Sequence, residues 1–340
     1  MKSRESRKLD HIRYALCVGD GPCASGFSDV HLLHHCLSGI CRNEVDLTCL
    51  LPGLPALAHP IIINAKINES LAIVARETGS AMAVGSQFGT VRTGLHRDSY
   101  TIVRKCNPKG LIFANLSAFA SVEQAKAAID MISADALQIH LNPAQELAME
   151  EGDRDFSNCL SHIEAMVQGV GVPVIVKETG CGMAKKEAQD LLDVGVTLLD
   201  IGGAGGTNFP AIEHQRYPEG NEELSEWGIP TVLSLLSVVQ TVGWGNGVIA
   251  SGGIRSALDV VKAQVLGASA VAMAGNLLQK IQQEGTEETI HFLQRLLNKV
   301  LDFYTLLGCR TFRDLHEARY YLTGETAQAV SWLRKYDQND

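Results

Sequence analysis

A parallel (β/α)8 barrel of the TIM type, class α/β, is the fold this sequence predicts, and three observations carry that reading. Eight short, nearly all-apolar runs of β type fall between Pro60 and Met273. A segment of helical periodicity follows each run. Polar and glycine-rich residues collect directly after the runs. Apolar runs without alternation suit parallel strands covered on both faces. Their alternation with helices demands a parallel sheet, and a count of eight favours closure into a barrel over an open sheet.

The predicted strands are Pro60–Ala65 (PIIINA), Ala81–Gly85 (AMAVG), Leu111–Asn115 (LIFAN) and Ala136–Leu141 (ALQIHL), then Val172–Lys177 (VPVIVK), Thr197–Ile201 (TLLDI), Gly247–Ser251 (GVIAS) and Ser269–Met273 (SAVAM). Helices are predicted over Glu69–Thr78, Ser99–Cys106, Ser121–Ile132, Ser157–Val167, Lys185–Val194, Pro230–Val242 and Ala257–Leu266. Gly79, Gly169, Gly195, Gly243 and Gly267 each follow an apolar helical run, where a left-handed residue ends a helix. A long amphipathic stretch, Glu284–Leu306, closes the pattern. At roughly 100–200 residues per domain, 340 residues would suggest two domains. The βα count instead places residues 60–340 in one barrel with C-terminal helices. Residues 1–59 are then an N-terminal extension packing on the barrel or on a neighbouring subunit.

Hydrophobic residues are 46% of the chain, enough for a sizeable core. Lys and Arg number 29 against 38 Asp and Glu, so the net charge is −9. Such a chain is a poor general nucleic-acid binder, although a local cationic patch can still hold phosphate. The nine cysteines include no CxxC pair, which points to reduced thiols in a cytoplasmic protein. The charged N-terminus is followed by no apolar core of a signal peptide. The most apolar stretch, Leu47–Ile63, is broken by Pro52, Gly53, Pro55 and Pro60 and cannot form a membrane-spanning helix.

Barrel chemistry sits at the C-terminal ends of the strands. Gly85-Ser86-Gln87 follows the second strand and Asn115 ends the third. His140, Asn142, Gln145 and Glu146 follow the fourth, and Lys177 and Glu178 end the fifth. GGAGGTN (202–208), SGGIR (251–255) and AGN (274–276) follow the last three. Glycines before a helix let backbone N–H groups approach an anion, so SGGIR and AGN read as a phosphate site; the plainer reading is two tight turns. GGAGGTN is equally a close ligand approach or a flexible lid. Lys177 either pairs with Glu178 or Asp200, or stabilises negative charge on a bound ring. Mg²⁺ often takes only one or two carboxylates plus substrate phosphates, so Glu146 suffices in principle, against the alternative of a solvated helix residue. His31, His34 and His35 match no metal-ligand spacing and read as surface or core histidines.

Taken in order, RKLDHI, INA, AVGSQ, QIHLNPAQE, VIVKETGCGM, GGAGGTNF, WG and ASGGIR resemble the type 2 isopentenyl-diphosphate isomerases over almost the whole chain. The resemblance implies an FMN-dependent barrel that interconverts isopentenyl and dimethylallyl diphosphate, with Mg²⁺ and with NADPH to reduce the flavin. It implies a cytoplasmic homo-oligomer, tetramer or octamer, with no membrane or nucleic-acid partner. Arg7, Lys8 and His11 would bind the diphosphate, the arginine–lysine segment coming from this subunit or a neighbour. His140, Asn142 and Gln145 would line the substrate site, with Gln145 and His140 as the catalytic pair and Gln145 a proton relay. Glu146 would hold Mg²⁺. Ala65, Ser86, Asn115, Lys177, Thr207, Gly252, Gly253, Arg255, Ala274 and Gly275 would hold FMN.

The chain departs from that pattern where Asn64-Ala65 runs directly into Lys66-Ile67-Asn68, without the glycine-rich first βα loop. DIGG stands where a serine often replaces the first glycine, and AGN lacks an Arg-Pro. Two other readings follow. One is another FMN-dependent barrel oxidoreductase, such as a 2-hydroxy-acid oxidase. That needs a histidine–arginine pair in a late barrel loop, whereas His316 and Arg319 lie in the tail. The other is a catalytically impaired barrel kept for assembly or ligand binding.

Overall fold

In the computed structural model, which describes residues 14, 24–64 and 67–336, eight parallel strands form a closed barrel. After a short strand β1 (Val30–Leu32), the barrel runs β2 (Ile61–Asn64), β3 (Ala81–Ala83), β4 (Ile112–Ser117), β5 (Ala136–Leu141), β6 (Val174–Glu178), β7 (Leu198–Asp200), β8 (Val248–Ser251) and β9 (Ala270–Met273). Each pairs with the next, and β9 closes on β2 through Ile61 opposite Val271. The eight predicted runs are these eight strands. β4 runs on to Ser117 because Leu116 and Ser117 keep pairing with Ile139 and His140. Asn115 therefore lies inside its strand rather than at its end.

The helices form the outer layer. They are α1 (Asn68–Thr78), α2 (Phe88–Thr93), α3 (Asp98–Cys106), α4 (Val122–Ile132), α5 (Pro143–Ala148), α6 (Cys159–Gly169) and α7 (Lys185–Asp193). Then come α8 (Phe209–Arg216), α9 (Thr231–Val242), α10 (Ala257–Val265) and α11 (Gly275–Leu307). Ser121 and Ser256 cap α4 and α10, each within a capping box that closes on Gln124 and Asp259. Gly169 is not a stop: it is the last helical residue of α6, where a Cβ would lie 2.6 Å from Val122. The chain turns instead at Gly171, with φ +75°. α11 starts nine residues before the predicted Glu284 and is interrupted at Gly285, whose φ of 85° breaks the helical path.

The arm before β2 runs along α10 and then beneath the barrel. Lys262 donates to the Phe27 carbonyl at 2.6 Å. Leu47, Cys49, Leu51 and Leu57 are buried, and Gly53 abuts Pro173 just before β6. The proline-broken apolar stretch thus covers the N-terminal end of the strands. At the other terminus β10 (Tyr320–Leu322) pairs antiparallel with β1, and α12 (Gly324–Tyr336) follows. Among the described residues no helix is long and apolar enough to cross a membrane. The seven described cysteines are free thiols.

Candidate functional site

Parallel register places four polar residues side by side at the C-terminal end of the barrel. Ser117 on β4 lies opposite His140 on β5, His140 opposite Lys177 on β6, and Lys177 opposite Asp200 on β7. Lys177 Nζ lies 3.3 Å from Asp200 Oδ2 and donates to the Glu178 carbonyl at 2.9 Å and to Ser251 Oγ at 3.3 Å. Ser251 donates in turn to the other oxygen of Asp200. Of the two alternatives raised for Lys177, the structure shows the pairing with Asp200, and the paired ammonium stands at the barrel mouth.

Asn115 donates through Nδ2 to Gln138 Oε1 at 2.8 Å, which turns its Oδ1 toward His140 Nδ1 at 2.9 Å. That acceptor places the proton of a neutral His140 on Nδ1 and leaves Nε2 as a base. Burial, with the nearby charge of Lys177, pushes the His140 pKa down to about 4. Gln87 is fully buried and braces the strand from behind, accepting from the Asn115 N–H at 3.0 Å and donating to the Ala128 carbonyl. Ser86 is half-buried, and its carbonyl accepts from the Tyr100 hydroxyl at 2.5 Å.

Glu178 turns away from the ring of charges and anchors the next loop. One of its oxygens accepts from the N–H groups of Cys181 at 2.6 Å and Gly182 at 3.0 Å. Those donors and Lys177 favour the carboxylate, but burial outweighs them and raises its pKa to about 8.

Asn142 and Pro143 start α5, and the helix presents Gln145 and Glu146 together. Asn142 Nδ2 donates to Glu146 Oε1 at 2.9 Å and to Gln145 Oε1 at 3.3 Å. Gln145 Nε2 donates to Glu213 Oε1 on α8 at 2.8 Å. Glu213 is fully buried and pairs through its other oxygen with Arg216. The sequence reading missed Glu213; an acidic and a basic residue three apart, just beyond a glycine-rich loop, was the available hint.

The glycine loops pack against one another. A Cβ on Gly252 (φ +99°) would lie 2.1 Å from the Gly203 carbonyl oxygen, and one on Gly253 (φ +79°) 2.3 Å from that of Gly205. GGAGGTN is therefore no flexible lid: Gly202 through Gly205 are buried, and Asn208 caps α8. Arg255 lies across the loops, donating to the carbonyls of Gly205 and Gly253 at 3.0 and 3.2 Å. Thr207 Oγ1 sits 3.2 Å from where a Cβ of Gly275 would be, so Thr207, Ala274 and Gly275 adjoin this cluster at the start of α11. The N–H groups of Gly253 and Ile254 meet no acceptor among the described residues. Arg7, Lys8, His11 and Ala65 lie outside the described residues. Among the described residues no cluster of three His, Cys, Asp or Glu side chains is arranged to hold a metal ion.

Residues 91–322 match the FMN-dependent dehydrogenase family. The chain is 44% identical over 334 residues to an isopentenyl-diphosphate delta-isomerase of Geobacillus sp. (strain WCH70), covering 95% of each chain. It is 41% identical to the enzyme of the same name from Bacillus pumilus, covering 98% of this chain and 95% of that one. Among solved structures, a lactate oxidase of Pediococcus acidilactici superposes with a TM-score of 0.69 at 13% identity, covering 95% of this chain and 96% of that one. A mandelate oxidase with benzoyl-formic acid gives 0.65 at 16%, covering 93% and 98%. Those two share the fold alone. Identity above two residues in five along nearly the whole of both chains, on a barrel whose mouth gathers the polar set above, makes this chain an isomerase of the isopentenyl-diphosphate delta-isomerase family, within the FMN-dependent dehydrogenases.

Proposed function

We propose that the protein isomerises isopentenyl diphosphate to dimethylallyl diphosphate with reduced FMN and Mg²⁺, NADPH serving to reduce the flavin. The observation that carries this reading is the arrangement of Asn142, just before α5, with Gln145 and Glu146 on it, beside the His140–Lys177–Asp200 layer at the same barrel end. The residues present fit a flavin mononucleotide. The N–H groups of Gly253 and Ile254, with the start of α11 at Gly275, offer donors to a phosphate. Lys177 offers a fixed positive charge to a ring that becomes anionic on reduction. Ser86, Asn115, Thr207, Arg255 and Ala274 complete the set, with Ala65 outside the described residues.

A bound reduced flavin supplies acid–base exchange with the substrate, with no net redox change. Glutamine has no useful acidity near neutral pH, so Gln145 orients and relays rather than supplies a proton. Neutral His140 offers its Nε2 to a neighbouring donor. Glu146 would hold Mg²⁺ through its carboxylate, an ion that would neutralise charge on the substrate phosphates. Arg7, Lys8 and His11 bring cations to the diphosphate. A cytoplasmic homo-oligomer, tetramer or octamer, belongs to the same proposal, with residues 1–59 packing on the barrel or a neighbour. Exposed Leu37, Trp227 and Trp332 provide apolar surface for such contacts.

The oxidase reading lacks its histidine–arginine pair. His316 packs edge-on against Trp244, 5.0 Å between centroids, and the Trp244 ring also stacks on Phe312, away from the mouth. The test is an FMN titration followed by proton NMR of isopentenyl diphosphate turnover. Saturable FMN binding and isomerisation only with reduced flavin and Mg²⁺ are expected. Binding without isomerisation would favour the impaired barrel, and turnover without flavin would end the mechanism.

A further inference from the structure

Gln145 and Glu146 are neighbours on α5, and each is held from outside that helix. Gln145 reaches Glu213, Glu213 pairs with Arg216, and Arg216 Nη2 reaches Glu151 at 3.2 Å. Glu151 opens a segment that folds back on α5. There the Asp153 N–H donates to Glu146 Oε2 at 3.0 Å. Arg154 donates to the carbonyls of Glu146 and Met149, both at 2.5 Å, and to that of Gly152 at 2.9 Å. A Cβ at Gly152 would lie 1.9 Å from the Glu146 carbonyl oxygen, so the fold-back admits no side chain there. With the backbone from Glu151 to Asp153 as one link, the contacts close a ring from Gln145 through Glu213 and Arg216 back to Glu146.

We propose that Arg216 and Arg154 are positioning residues for the isomerisation, Arg216 setting the amide of Gln145 through Glu213 and Arg154 setting the carboxylate of Glu146 through the fold-back. The inference rests on the function proposed above. An ionised carboxylate is an acceptor only, so Glu213, with Arg216 on one oxygen, takes the Gln145 NH₂ on the other. The Gln145 oxygen is then turned toward Asn142, and the amide has one orientation instead of two. Without Arg216 the Glu213 carboxylate loses its cation, only the longer 3.3 Å contact from Asn142 still orients the amide, and a relay that must present one end spends most of its time misplaced. Arg154 acts on the other limb. It ties the carbonyls at the end of α5 to the turn that presents the Asp153 N–H, and that N–H fixes one Glu146 oxygen while Asn142 fixes the other.

The two limbs make separable predictions. Partners of this kind typically cost 10–100-fold in activity or metal affinity when lost. Arg216→Lys is expected to lower kcat by about 10-fold or more, with FMN and Mn²⁺ affinities within about two-fold of wild type. Arg154→Lys is expected to weaken Mn²⁺ binding about 10-fold, with most of the kcat restored at saturating metal. FMN affinity is read by fluorescence quenching, and Mn²⁺ by electron paramagnetic resonance of the free ion with isopentenyl diphosphate present. Glu151→Gln, at a half-exposed site, is expected to repeat the Arg216 effect more weakly and keeps the test open should either arginine variant fail to fold. Losses of the same properties in the same proportion in both arginine variants would overturn the proposal, as would wild-type behaviour in either. A wild-type protein that binds FMN and Mn²⁺ without turnover would overturn the proposed function instead, while the Mn²⁺ readout on Arg154→Lys still judges that limb of the ring.

Discussion

Lys177 and Asp200 meet at 3.3 Å on adjacent barrel strands, the carboxylate fully buried and the lysine side chain 16% exposed. A charge pair at the mouth of a barrel is costly to desolvate, and its geometry matters more than its existence. Here Ser251 joins both partners, donating to Asp200 and accepting from Lys177. Removing one charge strands the other, which costs about 3–5 kcal/mol where the survivor is buried. Asp200→Asn is therefore expected to lose about 3 kcal/mol in urea unfolding. Lys177→Met with Asp200→Asn is expected to recover part of that loss, because neither charge is left alone. An additive double mutant would show that the pair is not coupled.

Two buried groups with large shifts of opposite sign contribute to the pH dependence of stability. The folded pKa of His140, about 4, lies below its ordinary 6.5. The folded state then holds fewer protons than the unfolded chain, so this contribution is complete above about pH 6.5 and is lost as the pH falls toward 4. The pKa of Glu178, about 8, lies above its ordinary 4.5. Its contribution is complete below about pH 4.5 and is lost as the pH rises through 8. The two oppose each other between 4.5 and 6.5, and from 6.5 to 8 only Glu178 changes. Urea midpoints are expected to fall over that upper window in the wild type and to stay level in Glu178→Gln. The amide keeps an oxygen for the N–H groups of Cys181 and Gly182. A level wild-type curve would mean that Glu178 is ionised in the fold.

How much of this was written locally in the chain differs by element. The strands were legible because their centres, such as Ile61–Ile63 and Val174–Val176, are buried on both faces and leave no polar alternation to misread. α2, α5 and α8 were not, since helices of six to eight residues span too few turns to show a period. Those helices sit at the barrel mouth, so the part of the fold that shapes the site was the hardest to read. Gln145 and Glu146 stood out as polar residues after a strand. Glu213 and Arg216, 68 and 71 positions beyond Gln145, join them only because α8 packs on α5, and no local spacing encodes that contact.

Glycine positions in the loops divide by what surrounds them. Gly252 combines φ +99° with a carbonyl 2.1 Å from any Cβ, whereas Gly94 has φ +72° and open space. Alanine at Gly94 meets only backbone strain, about 1 kcal/mol. Alanine at Gly252 adds a clash that must push the β7 and β8 loops apart, at about 3 kcal/mol or more. Gly252→Ala is also expected to weaken FMN binding, measured by fluorescence quenching, while Gly94→Ala leaves it unchanged. Equal effects of the two substitutions on FMN affinity would remove the glycine loops from the cofactor site.

Gln145→Asn separates the work of the relay from that of the cofactor site. The shorter side chain keeps the amide but draws it away from Glu213 Oε1, now 2.8 Å from Nε2. The groups assigned to FMN sit on other loops: Lys177 on β6, and Gly252, Gly253 and Gly275 after β8 and β9. The substitution should thus leave the FMN dissociation constant within about two-fold, while kcat falls on the order of 10²-fold, the range of a misplaced proton-transfer group. KM for isopentenyl diphosphate should move less than kcat, because Glu146 and Asn142 keep their contact at 2.9 Å. Steady-state kinetics with reduced flavin at saturating Mg²⁺, beside an FMN titration of the same preparation, gives both numbers. Parallel losses in FMN affinity and kcat would put Gln145 against the cofactor rather than the substrate, and a KM effect larger than the kcat effect would make it a binding residue with no part in moving the proton.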